Sequence, residues 1–582
     1  MSPSSPRARR TLLASLLAFA AGCSLEFTPM EEVQNGCETS SDCAAGDVCV
    51  SKTALDRGVC AATEVELGTV ILEVRPTDGQ VAYVFAEAVT LESSAQGVVA
   101  ELELKLPEAR LVTGRFLAPG ADPACKAADG SVPVSVSLSR RFEAGPFRSE
   151  FQALSDDTSR FELSVPAGSY DAYVVPTPVE GCPAIAPVLR RVDVPEEGLD
   201  LTWEDEAASL TGSVEVPEGA NVDGWRLDVV DSKYGRVLSE PFTLTNPSRG
   251  EKKVAIGGAD GIRYNPTESA ILRLSDASGG LTIHWNLAAL DLDSDRDVDI
   301  DIFDLLAVPE KTEARIIDPD YAAVPNAQVT IASESLTGSV NQNASFRVNA
   351  ISDASGVVQV SLLPGTYNVT VIPPVPGLAS FSGTWTVAAK SDEPQDTPGG
   401  FGIGLQLSKQ SSVRGVVEDP FGLELADAPV WLGPSQAEMG DYFEQALGST
   451  GSVSRVSATT TNATGAFETL VDPGTLDLSV QLDAATGYPW FVRPSLVVAP
   501  DQPSRDIGVV SIEAPAIVQG ILRDSSDGAI SLALIRAYVQ AAPTAPDSNE
   551  PATLIQIGST SSGPDGRFFL PLPRRITVAP EP

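Results

Sequence analysis

The chain has 582 residues, 43% of them from the AVILMFWYC set and 20% charged, which is the composition of folded protein rather than of a disordered tail. That length exceeds what one core sustains, so several domains of about 100–150 residues are expected. A formal net charge of −39 repels nucleic acid and anionic lipid, which removes nucleic acid from the expected partners.

Residues 1–22 read as a secretory signal peptide: a basic head (Arg7, Arg9, Arg10), an apolar run from Leu12 to Ala21, then Gly22-Cys23. The run is too short to span a bilayer, and no later run approaches the roughly 20 apolar residues a spanning helix needs. Ala20-Ala21-Gly22-Cys23 resembles the bacterial lipobox, with Ala20 where Leu is usual. The resemblance implies that Cys23 is lipidated, and Ser24 behind it implies a lipid-anchored protein of the cell outer membrane, periplasmic or surface-exposed. Acyl chains would hold the chain to the membrane without spanning it. Residues 23–36, with Glu26, Glu31 and Glu32, read as an acidic tether.

Cys37, Cys43, Cys49 and Cys60 define a small module over residues 37–60. In an exported chain, an even and closely spaced set reads as two disulfides, with three pairings open. Zinc is the competing reading, but the spacings are wider than those of structural zinc pairs and no histidine is near. The phrase CETSSDCAAGDVCV…GVC resembles the cysteine-rich segment behind the lipobox of myxobacterial-type surface lipoproteins. Cys125 and Cys182, the remaining pair, are assigned to a third bridge. Residues 64–110 alternate like strands (Val70–Val74, Val81–Phe85, Val98–Leu106) but hold too few for a sandwich, so they are expected as a partial β segment.

A long repeat follows. The phrases Leu111–Arg115, Leu210–Val214, Ala314–Asp318, Val413–Val417 and Val518–Leu522 open five units, whose starts at 112, 210, 314, 413 and 518 are spaced by 98, 104, 99 and 105 residues. The expected domains are 111–205, a diverged 209–310, then 313–410, 412–514 and an incomplete 516–582. Each unit is preceded by an alternating run read as the closing strand of the one before: Leu102/Leu104/Leu106, Leu199/Leu201/Trp203, Ile300/Ile302, Ile403/Leu405/Leu407 and Ile507/Val509.

The clearest inner phrase is Ser352–Pro374. Val358, Val360 and Leu362 alternate toward one face, Pro364-Gly365 turns the chain, and Tyr367, Val369 and Val371 alternate again, which reads as a hairpin. Copies stand around Ser159, Gly465 and Gly566, whereas 209–310 lacks the phrase. Short strands, frequent turns and almost no helical period predict an all-β chain of tandem antiparallel β-sandwiches, transthyretin-like or Ig-like, behind the disulfide-rich module. The order of phrases (xGxV, P-x-A-x-V-x-L, D-x-x-G-x-F, L-x-P-G-x-Y-x-V-x-V) resembles the carboxypeptidase regulatory-like domain, which implies seven-stranded sandwiches. The last unit stops at Pro582 where its closing strand should begin, leaving a truncated end or an unprotected sheet edge.

Candidate chemistry is sparse. The single histidine, His284, cannot build the two-histidine zinc site of a peptidase, and in Leu281–Trp285 it reads as an outward, solvated strand residue. No catalytic residue and no cofactor are expected. The acidic run offers Asp293, Asp295, Asp297, Asp299, Asp301 and Asp304 at spacings that resemble a calcium loop. Val298 stands where that loop needs Gly, and the run occupies a closing-strand slot, so a solvated strand face is favoured over a metal site. Trp431 takes the outward slot matched by Thr330 and is a candidate ligand contact or a packing residue for a neighbouring domain. Asn368 and Asn462 match glycosylation triplets, which carry no information in a bacterial lipoprotein. The expected function is a non-enzymatic envelope lipoprotein presenting a rod of sandwiches for adhesion, scaffolding or protein binding, with envelope proteins or extracellular glycans as partners. Five units in line would reach on the order of 150–200 Å. A carbohydrate-binding accessory protein is the alternative, and a hydrolase the third reading.

Overall fold

A computed structural model describes residues 36–576 apart from 51–57, 77–84, 119–122, 142–147, 183, 205–206, 217–220, 249–250, 252, 258–260, 266, 268–269, 279–280, 287–295, 302–309, 334–343, 363–364, 388–404, 435–454 and 541–553. Within that range the chain is all-β, and the helical elements described are single 3-10 turns such as Ala484–Thr486.

Each unit is a sandwich of two sheets. In the fourth, Ala466–Val471, Ser411–Glu418 and Ser504–Ser511 form the smaller sheet. Ser457–Thr460, Pro429–Gly433, Gly474–Val480 and Phe491–Val498 form the larger. Alternation decides which faces meet: Val413, Val417, Val430, Leu432, Phe467, Leu476, Leu478 and Val480 are all buried in one cluster. The opening and closing strands pair in parallel, as they do between Ala109–Leu117 and Leu199–Glu204 and between Glu310–Ile317 and Leu405–Gln406. The diverged unit keeps this mark, since Ala208–Glu215 pairs in parallel with Arg296–Asp301.

The inner phrase is not a hairpin. Val357–Leu362 pairs with Glu310–Ile317, while Gly365–Ile372 pairs with Gln328–Ser333 and Phe381–Val387 in the other sheet. Ala466–Val471 and Gly474–Val480 divide in the same way, as do Arg160–Pro166 and Gly168–Pro176. The phrase is therefore an arch that carries the chain across the core. Two-residue hairpins want positive φ at the first turn position, and Pro364 or Pro473, fixed near −65°, cannot supply it.

Turn chemistry repeats with the fold. Asp353 Oδ1 accepts from the backbone of Ser355 and Val357, as Asn462 Oδ1 does from Thr464 and Ala466 and Asp156 Oδ1 from Thr158 and Arg160. Each of these loops ends on a left-handed residue, Gly356, Gly465 or Ser159, and Gly566 holds the same place in the last unit. At Gly465 a Cβ would lie 2.6 Å from the Val417 carbonyl oxygen, so here both the φ of 66° and the close approach call for glycine. A buried hydroxyl pins the opposite corner. Ser352 Oγ accepts from Ala327 N and donates to Val324 O; Thr461 does the same with Ala428 and Leu425, and Ser562 with Ala533 and Ile530.

The two open ends found in the sequence belong to one sandwich. Val98–Lys105 pairs in parallel with Ala516–Arg523, in the slot of a closing strand. Thr69–Arg75 pairs antiparallel with Leu534–Gln540, and Phe85–Thr90 follows at the edge. Residues 64–106 thus supply the last three strands of the unit begun at 516. Neither alternative of the sequence reading, a truncated end or an open edge, is needed: these strands cover the edge. The array runs out and returns instead of extending as a rod away from its N-terminus.

Nor do all the units keep separate cores. Leu281–Asn286 of the second pairs antiparallel with Ala344–Ile351 of the third, making one eight-stranded sheet over one continuous apolar cluster. Two exposed edges cover each other. Buried residues of the first unit and of the closing unit likewise form a single cluster, which takes in Trp490 and Val492 of the fourth.

Candidate functional site

Cys23 and its lipobox lie outside the described residues. The cysteine module is described from Gly36 and bridges Cys37 to Cys49 and Cys43 to Cys60; Cys125 joins Cys182. With all four module sulfurs in disulfides, none is free to bind a metal. The module does not stand off on its tether. Val50 and Ala61 pack with Ile517 of the closing unit, and Ala62 N donates to Pro515 O.

Of the acidic run, Asp293, Asp295 and Asp304 fall outside the described residues. Asp297, Asp299 and Asp301 lie at alternate positions of strand Arg296–Asp301. Alternate strand positions are nearly 7 Å apart, whereas a calcium loop folds its ligands around one ion, so the backbone favours the strand reading over the metal reading.

His284 is a correction. It is buried, not solvated, because its strand lies inside the shared eight-stranded sheet with Arg273 beside it on one neighbour and Ser345 on the other. Burial, with the Arg273 and Arg347 charges, lowers its pKa to about 4. Trp431 is 40% exposed, so it does face outward, with Ala458 and Ser479 as its strand neighbours.

What the sequence did not indicate is how much polar chemistry sits at the joints between units. Between the first and second, Asp171 accepts from Lys233 Nζ at 3.1 Å and from the Tyr234 hydroxyl. Burial would raise the Asp171 carboxyl, but these donors hold it below the usual carboxylate range. Arg236 donates to Ser139 Oγ at 2.6 Å and to Glu150 Oε1 at 3.1 Å, and lies 5.0 Å over the rings of both Tyr173 and Tyr234. Asn265 Nδ2 donates to the carbonyls of Ala186 and Pro187.

The joint between the third and fourth units centres on Asp472, the first residue of an arch. Its carboxylate accepts from Arg455 Nε at 3.0 Å and Nη2 at 2.8 Å, from Ser380 N and Oγ, and from Gln410 Nε2. Arg455 also donates to the carbonyls of Pro373 and Leu378. Burial again raises the carboxyl and the donors again outweigh it, so Asp472 stays ionised below the usual range. At the last joint, Glu513 takes Arg574 Nε at 2.6 Å and Arg575 Nη2 at 2.5 Å beside a cleft of about 30 Å³, room for no more than a water or two. These paired groups tie neighbouring units together, while others, such as Asp228 with Arg226 and Arg273, are satisfied within one unit.

No family model matches the chain, and no curated protein does. Among solved structures, the TIE protein of Bacillus anthracis matches over 66% of this chain and 69% of its own, at 12% identity and a TM-score of 0.15. A streptococcal ancillary pilin matches over 52% of this chain and 99% of its own, at 10% identity and a TM-score of 0.15. The major pilin subunit of Bacillus cereus matches over 70% and 100%, at 7% identity and a TM-score of 0.13. Scores this low show no common overall arrangement, and no property of those proteins is carried over from them.

Proposed function

We propose that this chain is a non-enzymatic cell-envelope protein that presents linked β-sandwich surfaces for adhesion or scaffolding. The supporting observation is what three charged groups do at the joints: buried Asp472 and partly exposed Asp171 and Glu513 each tie one unit to the next. The one histidine is buried in a sheet, not placed at a cleft. Such a molecule invests its polar side chains in holding its surfaces in fixed relation. The finer reading keeps Cys23 as a lipid anchor in the outer membrane and the carboxypeptidase regulatory-like class for 313–410 and 412–514, on the motifs and turns already described.

The membrane part is tested by Cys23→Ser, which should move the protein from the membrane fraction to the soluble one; retention in the membrane would overturn the anchor. Adhesion or scaffolding is tested with full-length detergent-solubilised protein against intact envelopes, where saturable binding is expected and its absence would sink the reading. One observation favours a glycan as the bound material, namely the outward indole of Trp431. On that second reading, binding to purified envelope polysaccharide is saturable and falls at least about fivefold in Trp431→Ala, taking a stacked ring to be worth about 1–3 kcal/mol, as it is for stacked nucleic-acid bases.

A further inference from the structure

The closing unit is assembled from the two ends of the described chain. Its halves, 64–106 and 516–576, connect only through four other folded units, by way of the short links 106–108 and 512–515. The seam between the halves is long and specific. Val98–Lys105 covers the open edge of Ala516–Arg523 in parallel register, and Thr69–Arg75 covers that of Leu534–Gln540. Val70, Leu72 and Val74 are fully buried against a core containing Ile535, Ala537, Val518 and Leu570. Glu73, also fully buried, accepts from the Tyr538 hydroxyl at 2.9 Å and pairs with Arg75 and with Arg536. On the rim, Arg523 meets Glu103 at 3.0 Å and Lys105 meets Asp527 at 2.6 Å.

We propose that residues 64–106 are an exchangeable complement, so that the open C-terminal half also fits the N-terminal segment of a second copy of this chain, joining copies head to tail. All contacts of the seam form equally well within one chain or between two. The partition therefore depends on the effective concentration set by the four intervening units, against the concentration of other copies. Until it is met, each half leaves an unpaired strand edge, and an edge of that kind pairs with whatever complement reaches it first. Every copy carries one donor segment and one acceptor half. The resulting contact is heterologous, so exchange builds closed rings or open chains of copies.

Ile521 and Glu103 are register partners across the seam, which makes a covalent trap available. In full-length protein carrying Cys23→Ser, one population receives Glu103→Cys and another Ile521→Cys. The two are mixed unfolded with native disulfides intact, refolded at rising concentration, oxidised and weighed under non-reducing conditions. A disulfide-linked dimer of the two populations is expected, absent from either alone. Its yield should rise roughly tenfold for each tenfold in concentration at the dilute end. The double variant, refolded dilute, should bridge within one chain. A mixture that stays monomeric at the highest concentration while the double variant bridges would overturn the proposal. If the cysteines bridge in neither setting, light scattering on the Cys23→Ser chain refolded at high concentration decides: discrete multiples of the monomer mass support exchange, and monomer alone overturns it.

Discussion

Leu532 sits at φ 56°, a left-handed backbone conformation that costs an ordinary side chain energy. Its counterparts in the third and fourth units are Asn326 at 59° and Asp427 at 57°, and in all three the backbone N–H donates to the residue that carries the buried hydroxyl. Leu532 is 63% exposed, so packing returns little. Leu532→Asn should therefore stabilise the closing unit by about 0.5–1 kcal/mol, read as an upward shift of its thermal transition. His284 supplies a second test. Its folded pKa of about 4 lies below the ordinary 6.5, so between those values the unfolded chain binds more protons. Stability is full above pH 6.5 and declines as pH falls to 4, by about 3 kcal/mol for a shift of this size. As the only histidine, it can be removed cleanly: His284→Gln should flatten the fall of melting temperature between pH 6.5 and 4, and an unchanged slope would refute the assignment. Its burial was not readable from Leu281–Trp285, because alternation says that a residue leaves one face and not whether another unit's sheet continues beside it.

At the level of strands and turns, the repeat was legible in detail. Opening strands and the turn positions Ser159, Gly356 and Gly465 fall where the phrases place them, since each is set by local period and turn chemistry. So do the closing strands except Val98–Lys105, which closes the unit begun at 516 and not the one before 111. The arch was misread as a hairpin although the sign was present: proline at the first turn position is incompatible with the turns that tight hairpins favour. Asp472 shows what else local pattern hides. In the sequence it is an ordinary turn acid, one residue before Pro473, and only the fold brings it to Arg455, Ser380 and Gln410. Asp472→Ala should cost on the order of 2–3 kcal/mol at the joint, by leaving a partly buried guanidinium with fewer partners. Because its folded pKa is lowered, the wild-type contribution is present above the ordinary carboxylate range and is lost as pH falls through the folded value. Protease sensitivity of residues 373–380 and 455–472, compared at neutral pH, should rise in the variant while the melting of the closing unit stays put.

For the whole molecule, the open ends in the sequence were the one conspicuous flaw in an otherwise regular array, and the pairing that repairs them could not be read from any window of the chain. Strand partners more than 400 residues apart carry no local signal, and an edge lacking its neighbour says only that something covers it. The closed circuit makes a physical demand that an open rod would not. The strands at 69–75, 85–90 and 98–105 share one core with those at 516–523, 534–540, 554–561 and 567–572, so they must open and close as one cooperative unit despite their distance along the chain. Leu72, fully buried in Thr69–Arg75, is the place to test it. Leu72→Ala removes a core side chain at a cost of about 2–5 kcal/mol. Amide exchange followed by mass spectrometry should then show loss of protection in Leu534–Gln540 and Ala516–Arg523 as large as in Thr69–Arg75 itself. Ser411–Glu418 and Gly474–Val480, whose core is a separate cluster, should keep theirs. Deprotection confined to residues 69–105 would mean that the C-terminal half holds its fold alone. In that case the seam would be a docking contact and not the final step of one sandwich.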